Sequence, residues 1–443
     1  MKPSLSTLPK LDFAARREQF LQKLDGGIAV FRAPALATRA GDVDHRYRPD
    51  ANFHYLTGFD EADAVAVLDG SASEERFLLF VQPHDPERET WVGPCAGVEG
   101  ACEDFGADAA FPMSELEERL VPRIANGGAL HYKLGHDETF NHLMIELARR
   151  SWATRPRSAN DLPTALLDPG PLVHEMRIKK SDAELQWLQA SIDIAAEAHI
   201  AALRETKPDQ SEFEIEALIE YHFRRNGASG WAYPSIVAGG ANATVLHYIA
   251  NQDRLAHDEL LLIDAGCEVG LYCADITRTF PVGSTFTSAQ KAVYEVVLAA
   301  QEAACEEVKP GSTVDSVHER AVDVLFDGLC SLGLLDKTAS KSAPQGDFKK
   351  FYMHRTSHWL GLDVHDVGAY NVDGEPRPLE PGMVLTIEPG LYFSRHLANV
   401  PAEYLGIGIR IEDDVLVTDT GHRNLSAAVP KKVDDILELR ANA

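Results

Sequence analysis

The chain has 443 residues, 45% of them hydrophobic and 25% charged, and carries a formal net charge of −26. That length exceeds one ordinary hydrophobic core and favours two domains, and the composition is that of a globular protein. The acidic balance argues against nucleic acid and anionic membrane surfaces as partners, since both are met by basic patches.

Met1 to Phe20 is polar and charged with no apolar signal core, and no run reaches the roughly 18 apolar residues of a membrane span, so cytoplasm is the expected location. The six cysteines, Cys95, Cys102, Cys267, Cys273, Cys305 and Cys330, contain no C-x-x-C pair. Neither a redox dithiol nor a zinc knuckle is indicated, and reduced, partly buried thiols are expected.

In chain order, Gly27–Phe31, Ala64–Leu68 and Phe77–Val81 are short apolar runs bounded by turn residues, as buried strands are. Trp91 is expected to pack, or, if exposed, to reach a neighbouring subunit. Helical spacing marks Ser114–Asn126 and Glu138–Arg150. The first third is thus an α/β module without a catalytic motif. The Pro- and Gly-rich passage from Asn160 to Pro171 punctuates the chain, which places domains at 1–172 and 173–443.

Beyond it, Ser181-Asp182-Ala183-Glu184 reads as a capping box, followed by Leu185, Leu188, Ile192 and Ala195 on one helical face. A second helix is expected from Ser211, carrying Phe213, Ile215, Leu218, Ile219 and Phe223. A third is expected after Pro310-Gly311-Ser312, with Val314, Val317, Val322 and Leu325 inward. Gly239-Gly240-Ala241-Asn242 lacks the Lys and the strand–helix context of a P-loop and reads as a loop. Strand-like runs Leu260–Glu268 and Leu271–Phe280 flank a turn at Val269-Gly270. The second domain is therefore expected to be α+β, with antiparallel strands flanked by helices.

Four acids sit in these apolar runs. Asp264 closes Leu260–Ile263, Asp275 lies in Leu271–Ile276, Glu388 closes Met383–Ile387 and Glu412 follows Ile407–Ile411. A buried carboxylate must be neutralised by a proton, an ion pair or a metal. Arg410 supplies one nearby cation against four anions, whereas two divalent cations would balance them charge for charge. The stretch Tyr352–Asp366 adds His354, His358 and His365, whose spacing admits ligand, acid/base or substrate-clamping roles. It is not an H-E-x-x-H motif, because Arg355 stands where that motif needs Glu. Four carboxylates with an imidazole make a hard, oxygen-rich donor set suited to Mn²⁺ or Co²⁺, with Zn²⁺ also admissible. Paired metals about 3.5–4 Å apart activate water and polarise a carbonyl, so amide hydrolysis is the expected reaction class.

At these residues a resemblance becomes specific. His354-x-x-Ser357-His358-x-Leu360-Gly361-x-x-Val364-His365-Asp366 resembles the proline-peptidase motif of the pita-bread metallopeptidases. Leu246-His247-Tyr248, Asp264-Ala265-Gly266, Asp275-Ile276-Thr277-Arg278-Thr279, Glu388-Pro389-Gly390 and Arg410-Ile411-Glu412-Asp413 are similar to the same family's segments, in the same order. Tyr47–Phe59 and Val173–Arg177 extend the likeness to its aminopeptidase P branch across nearly the whole chain. The resemblance implies a pita-bread catalytic domain behind a non-catalytic first domain, and two divalent metals held by Asp264, Asp275, His358, Glu388 and Glu412. It implies Glu388 as general base on the bridging water, His247 and His365 at the scissile amide and its tetrahedral intermediate, and His354 lining the pocket beyond that bond. Arg410 would orient the carboxylates or the substrate. The implied substrates are peptides with proline second, and a homo-oligomer, dimer or tetramer, is expected. Arg355 stands where the family often has Gly.

The rival readings are a Xaa-Pro dipeptidase (prolidase) on the same metals, a methionine aminopeptidase, and a metal-free pseudo-peptidase kept as a binding module. The last typically lacks one or more ligands, and all five are present here.

Overall fold

The computed structural model describes residues 5–135, 137–153, 165–341 and 346–442, so part of the expected boundary passage, from Asn160 to Thr164, lies outside the described residues. The chain divides into two compact units, Leu11–Met176 and Met1–Lys10 with Arg177–Ala443.

In the first unit the strands are β1 (Ile28–Arg32), β2 (Val65–Asp69), β3 (Phe77–Val81), β4 (Ala109–Pro112), β5 (Leu130–His131) and β6 (Leu166–Leu167). They form one mixed sheet in the order β4-β3-β2-β1-β5-β6. β2 is antiparallel to both β1 and β3, and the remaining pairs are parallel. Strands with both faces covered read as continuous apolar runs rather than alternating ones, and here the period of two still sorts the faces. Ile28, Val30, Val65, Val67, Leu78 and Phe80 pack with Leu120 and Leu147 of two helices, Leu116–Asn126 and Glu138–Ala153. On the opposite face Phe31 meets Phe20 of α1 (Phe13–Lys23) edge-on at 5.5 Å. Trp91 departs from the packing expectation: it lies in the short helix Pro86–Val92, capped by Asp85, and is 85% exposed.

In the second unit the Ser181 capping box forms as expected and starts the helix Asp182–Glu205. Its Glu184 also accepts a hydrogen bond from the Tyr272 hydroxyl at 3.0 Å, so the cap ties the helix to a strand that carries the site. Ser211 and Glu214 cap Glu212–Arg225, although Phe213 faces solvent rather than the core. The helix Val314–Ser331 follows Pro310 as expected. A further helix, Ser288–Glu307, is not singled out by the apolar spacing, yet Thr287 and Gln290 form a capping box at its start. Ala304 and Val308, with Val317 and Ala321, cover Leu385, Ile387, Val415 and Val417 of an antiparallel sheet.

The expected long strands are broken, and the breaks position the acids. Leu260–Asp264 pairs with Ile236–Gly239 and Thr277–Pro281, whereas Cys267–Val269 belongs to a separate sheet with Tyr272–Cys273 and Gly230–Trp231. The chain crosses between sheets at Ala265-Gly266. A Cβ on Gly266 would lie 1.7 Å from the Ala274 carbonyl oxygen, so only glycine fits there. The tight turn falls at Gly270-Leu271, both with positive φ, one residue later than expected. It joins Val269 to its partner Tyr272, as two-residue hairpins with both central φ positive do. Likewise Glu388 lies between the strands Val384–Ile387 and Gly390–Tyr392, and Glu412 between Gly408–Arg410 and Asp413–Val417.

Asp413 and Asp414 are fully buried strand residues. Asp413 is held by Arg278 (2.7 Å), Lys431 (2.7 Å), Gln301 (2.9 Å), Asn424 (2.7 Å) and Ser426 (2.8 Å). Burial pushes its pKa up, but the Arg278 and Lys431 charges outweigh that and hold it well below the ordinary carboxylate range. A depressed carboxylate contributes stability that is whole above its unfolded value, about 3.9, and is lost as pH falls through the folded one. Removing one member of a buried ion pair costs about 3–5 kcal/mol. Asp413→Ala is therefore expected to lower the urea midpoint strongly at pH 7, and the gap from the parent should narrow as pH is taken below about 4. A gap that does not change with pH would show that charge is not what Asp413 contributes.

Candidate metal centre

The strand breaks bring the acids of both halves of the second unit together. Glu412 N donates to Thr277 O at 3.1 Å, and Thr277 pairs in register with Asp264. His358 lies beside the strand that precedes Glu388: Thr386 N donates to His358 O at 3.0 Å and Glu388 N to Thr356 O at 2.8 Å. All four acids and His358 line a single cavity of about 860 Å³. His247, His354, His365 and Arg410 line it too. The five candidate ligands, the three histidines and Arg410 therefore line the same space.

The donor atoms converge. One oxygen each of Asp275 and Glu412 and a ring nitrogen of His358 lie within 4.8 Å of one another. His358 Nδ1 is 2.9 Å from the Trp359 carbonyl. A proton on Nδ1 satisfies that carbonyl and leaves Nε2 facing Asp275 (3.3 Å) and Glu388 (3.6 Å). An outer hydrogen bond of this kind fixes the tautomer of ligating histidines. Asp264 accepts from Arg410 at 2.6 Å, and Glu412 accepts from the Thr277 hydroxyl at 2.6 Å.

The electrostatics describe an excess of buried negative charge. Burial, reinforced by Asp275 and Glu388, pushes Glu412 well above its ordinary value. Burial also raises Glu388, to about 7, although His358 works against it. Burial lowers His358, yet Asp275 and Glu388 override that and lift it to about 9. A second arginine of these strands, Arg278, is buried but committed to Asp413, so it does not neutralise the cluster. Converging oxygen donors, an oriented imidazole nitrogen and too few cations together fit divalent metal.

Several participants carry no motif signal. The single Tyr233 hydroxyl lies 2.6 Å from Asp264 Oδ1 and 2.5 Å from Asp275 Oδ1, one proton between two carboxylates. Tyr392 donates toward His354 Nε2 at 2.8 Å and accepts from Arg410 at 3.0 Å. His354 Nδ1 is 2.7 Å from the Arg355 carbonyl, and burial with Arg410 drops its pKa to about 3, so the ring is neutral. His365 stands edge-on to His358 with ring centroids 4.4 Å apart. Arg355, at the mouth of the cavity, pairs with Asp315. Asp414 contacts Asp275 N at 3.1 Å from behind, and burial raises its pKa far above the usual range. Tyr233 and Asp414 became recognisable only once the fold placed them beside the acids.

The sequence pattern of metallopeptidase family M24 matches residues 186–419, more than half of the chain, and that of the aminopeptidase P N-terminal domain matches residues 13–131. The chain belongs to metallopeptidase family M24. Its fold is accordingly an aminopeptidase P N-terminal domain followed by a pita-bread domain, and its chemistry is peptide-bond hydrolysis. It is 38% identical to the Xaa-Pro aminopeptidase of Escherichia coli (strain K12), covering 99% of both chains. The solved structure of Pseudomonas aeruginosa aminopeptidase PepP superposes with a TM-score of 0.92 at 41% identity, covering 98% of each chain. Aminopeptidase P from E. coli with the inhibitor Pro-Leu superposes with a TM-score of 0.90 at 36% identity, covering 98% of this chain and 99% of that one.

For an M24 chain with this cavity, added Mn²⁺ is expected to raise the calorimetric unfolding midpoint. A ligand at one hundred times its Kd adds about 2.7 kcal/mol to the folded state. Asp275→Asn and His358→Ala should each lose most of that rise. A full rise in both variants would place the metal elsewhere.

Proposed function

We infer that the chain is a Xaa-Pro aminopeptidase, removing the N-terminal residue of peptides whose second residue is proline. The observation that carries this reading is likeness along the whole length: the E. coli Xaa-Pro aminopeptidase and this chain cover each other to 99%, first domain included. The prolyl amide is tertiary and has no N–H to offer, so a peptidase that grips the scissile N–H cannot recognise it, and a dedicated site is chemically reasonable.

Asp264, Asp275, His358, Glu388 and Glu412 would hold two divalent metals, whose chemistry is to lower the pKa of water and to polarise the amide carbonyl. Mn²⁺ suits this oxygen-rich set, with Co²⁺ and Zn²⁺ also admissible. Glu388 is the proton carrier: its carboxyl lines the cavity beside His358 (3.6 Å) and can take a proton from water and return it to the leaving prolyl nitrogen. His247 and His365, both exposed to the cavity, are placed to donate to the oxygen that gains charge at the scissile carbon. Neutral His354 with Tyr392 forms a wall beyond the bond, and Arg410 steadies Asp264 while donating to Tyr392.

Residues 1–172 are assigned no catalytic side chain. No helix among the described residues is long and apolar enough to cross a membrane, and cytoplasm is the proposed location. A homo-oligomer is proposed, with support from the exposed Trp91 and Val92.

Two measurements test the assignment. With Mn²⁺, a Xaa-Pro-Xaa tripeptide should be cleaved with a higher kcat/KM than the corresponding Xaa-Pro dipeptide; the reverse preference would make the enzyme a dipeptidase. Glu388→Ala should lower kcat by about 10² or more, the span of a general acid–base group. Near-parent turnover would remove Glu388 from proton transfer.

A further inference from the structure

Among the described residues, two clusters bring three potential ligand atoms within 4.8 Å of one another. One is the catalytic centre. The other lies in the first unit, around the helix Pro86–Val92: His84 precedes it, Glu89 is on it, and Cys95 follows it. We propose that His84, Glu89 and Cys95 form a second metal site, for a borderline divalent cation of the Zn²⁺ class.

The separations carry the argument. His84 Nδ1 is 2.7 Å from Glu89 Oε1, Cys95 Sγ is 3.3 Å from the same oxygen, and Sγ is 3.9 Å from Nδ1. Tetrahedral zinc has metal–nitrogen and metal–oxygen bonds of about 2.0 Å and metal–sulfur bonds of about 2.3 Å. Those lengths put neighbouring N and O ligands about 3.3 Å apart, and sulfur about 3.5 Å from either. Each observed separation lies within about 0.6 Å of its tetrahedral counterpart, a gap that small side-chain rotations close. One thiolate, one imidazole and one carboxylate leave a fourth position for water, and this mixed set suits zinc better than the all-oxygen preference of Mg²⁺ or Ca²⁺.

The surroundings hold the donors in place. The His84 ring lies over Gly97, where a Cβ would come within 2.6 Å of its Cδ2, so the glycine makes room for the ring. Glu61 Oε1 accepts from Ala96 N at 2.6 Å and fixes the residue next to Cys95. The charges of Glu61 and Glu99 act on His84 together with that of Glu89, a field that favours a cation. As the metal binds, the Cys95 thiol gives its proton to solvent and the thiolate becomes the ligand. None of the three residues lines the catalytic cavity.

Cobalt distinguishes this site from the catalytic one, because only a thiolate ligand gives Co²⁺ an intense sulfur-to-metal absorption in the near ultraviolet. Titrating the full-length Mn²⁺-loaded enzyme with Co²⁺ is expected to build that band to saturation, and Zn²⁺ should displace it. Cys95→Ser should abolish the band, and His84→Ala should weaken Co²⁺ affinity at least tenfold. Both variants should keep parent peptidase activity, which also reports that they are folded. Absence of the band in the parent enzyme, or its survival in Cys95→Ser, overturns the proposal.

Discussion

The second unit is organised around the cost of keeping carboxylates out of water. Strands that continued through Asp264, Asp275, Glu388 and Glu412 would send alternate side chains to opposite faces of their sheets. Instead the ladder ends or changes sheet at each acid, and each carboxylate turns into the same cavity. The framework that holds these breaks is apolar and helix-covered, so the backbone cannot relax to spread the charges apart. A site of this kind is stable only if cations belong to it, and the residues that surround it make sense on that footing.

Asp413 shows the alternative solution one residue away from Glu412. It receives two cationic side chains and three neutral donors, and burial then costs it little. Glu412 receives one hydroxyl, from Thr277, while the nearby Arg410 guanidinium is hydrogen-bonded to Asp264. These adjacent acids, one just before a strand and one opening it, thus meet opposite electrostatic fates, one a structural ion pair and one a cavity-lining ligand candidate. Sequence position cannot separate them; their surroundings can.

What was legible beforehand follows from this. The five donors and the histidines stood out because acids in apolar runs and clustered imidazoles are chemically unusual, and the order of their motifs carried the family. The capping box at Ser181 and the helix start at Ser211 were legible because they are local. The strand breaks were not, because Ala265-Gly266 looks like any small-residue pair until Ala274 is placed against it. Trp91 admitted either packing or exposure, and which of them holds depends on what the fold leaves uncovered. The burial of Asp413 was not legible, because its partners Arg278, Gln301 and Lys431 come from distant parts of the chain. Tyr233 had no signal at all: a lone tyrosine acquires its role only when two carboxylates arrive within reach of its hydroxyl.

Gly266 has no side chain to bind, donate or accept, yet the Ala274 carbonyl it accommodates is one peptide unit from Asp275. Any side chain at 266 would displace that peptide, and the carboxylate would move with it. Residue 266 is thus a mutational blind spot. A variant there would keep every acid and every histidine in its sequence, could still fold, and would nonetheless behave as though the Asp275 carboxylate had been deleted.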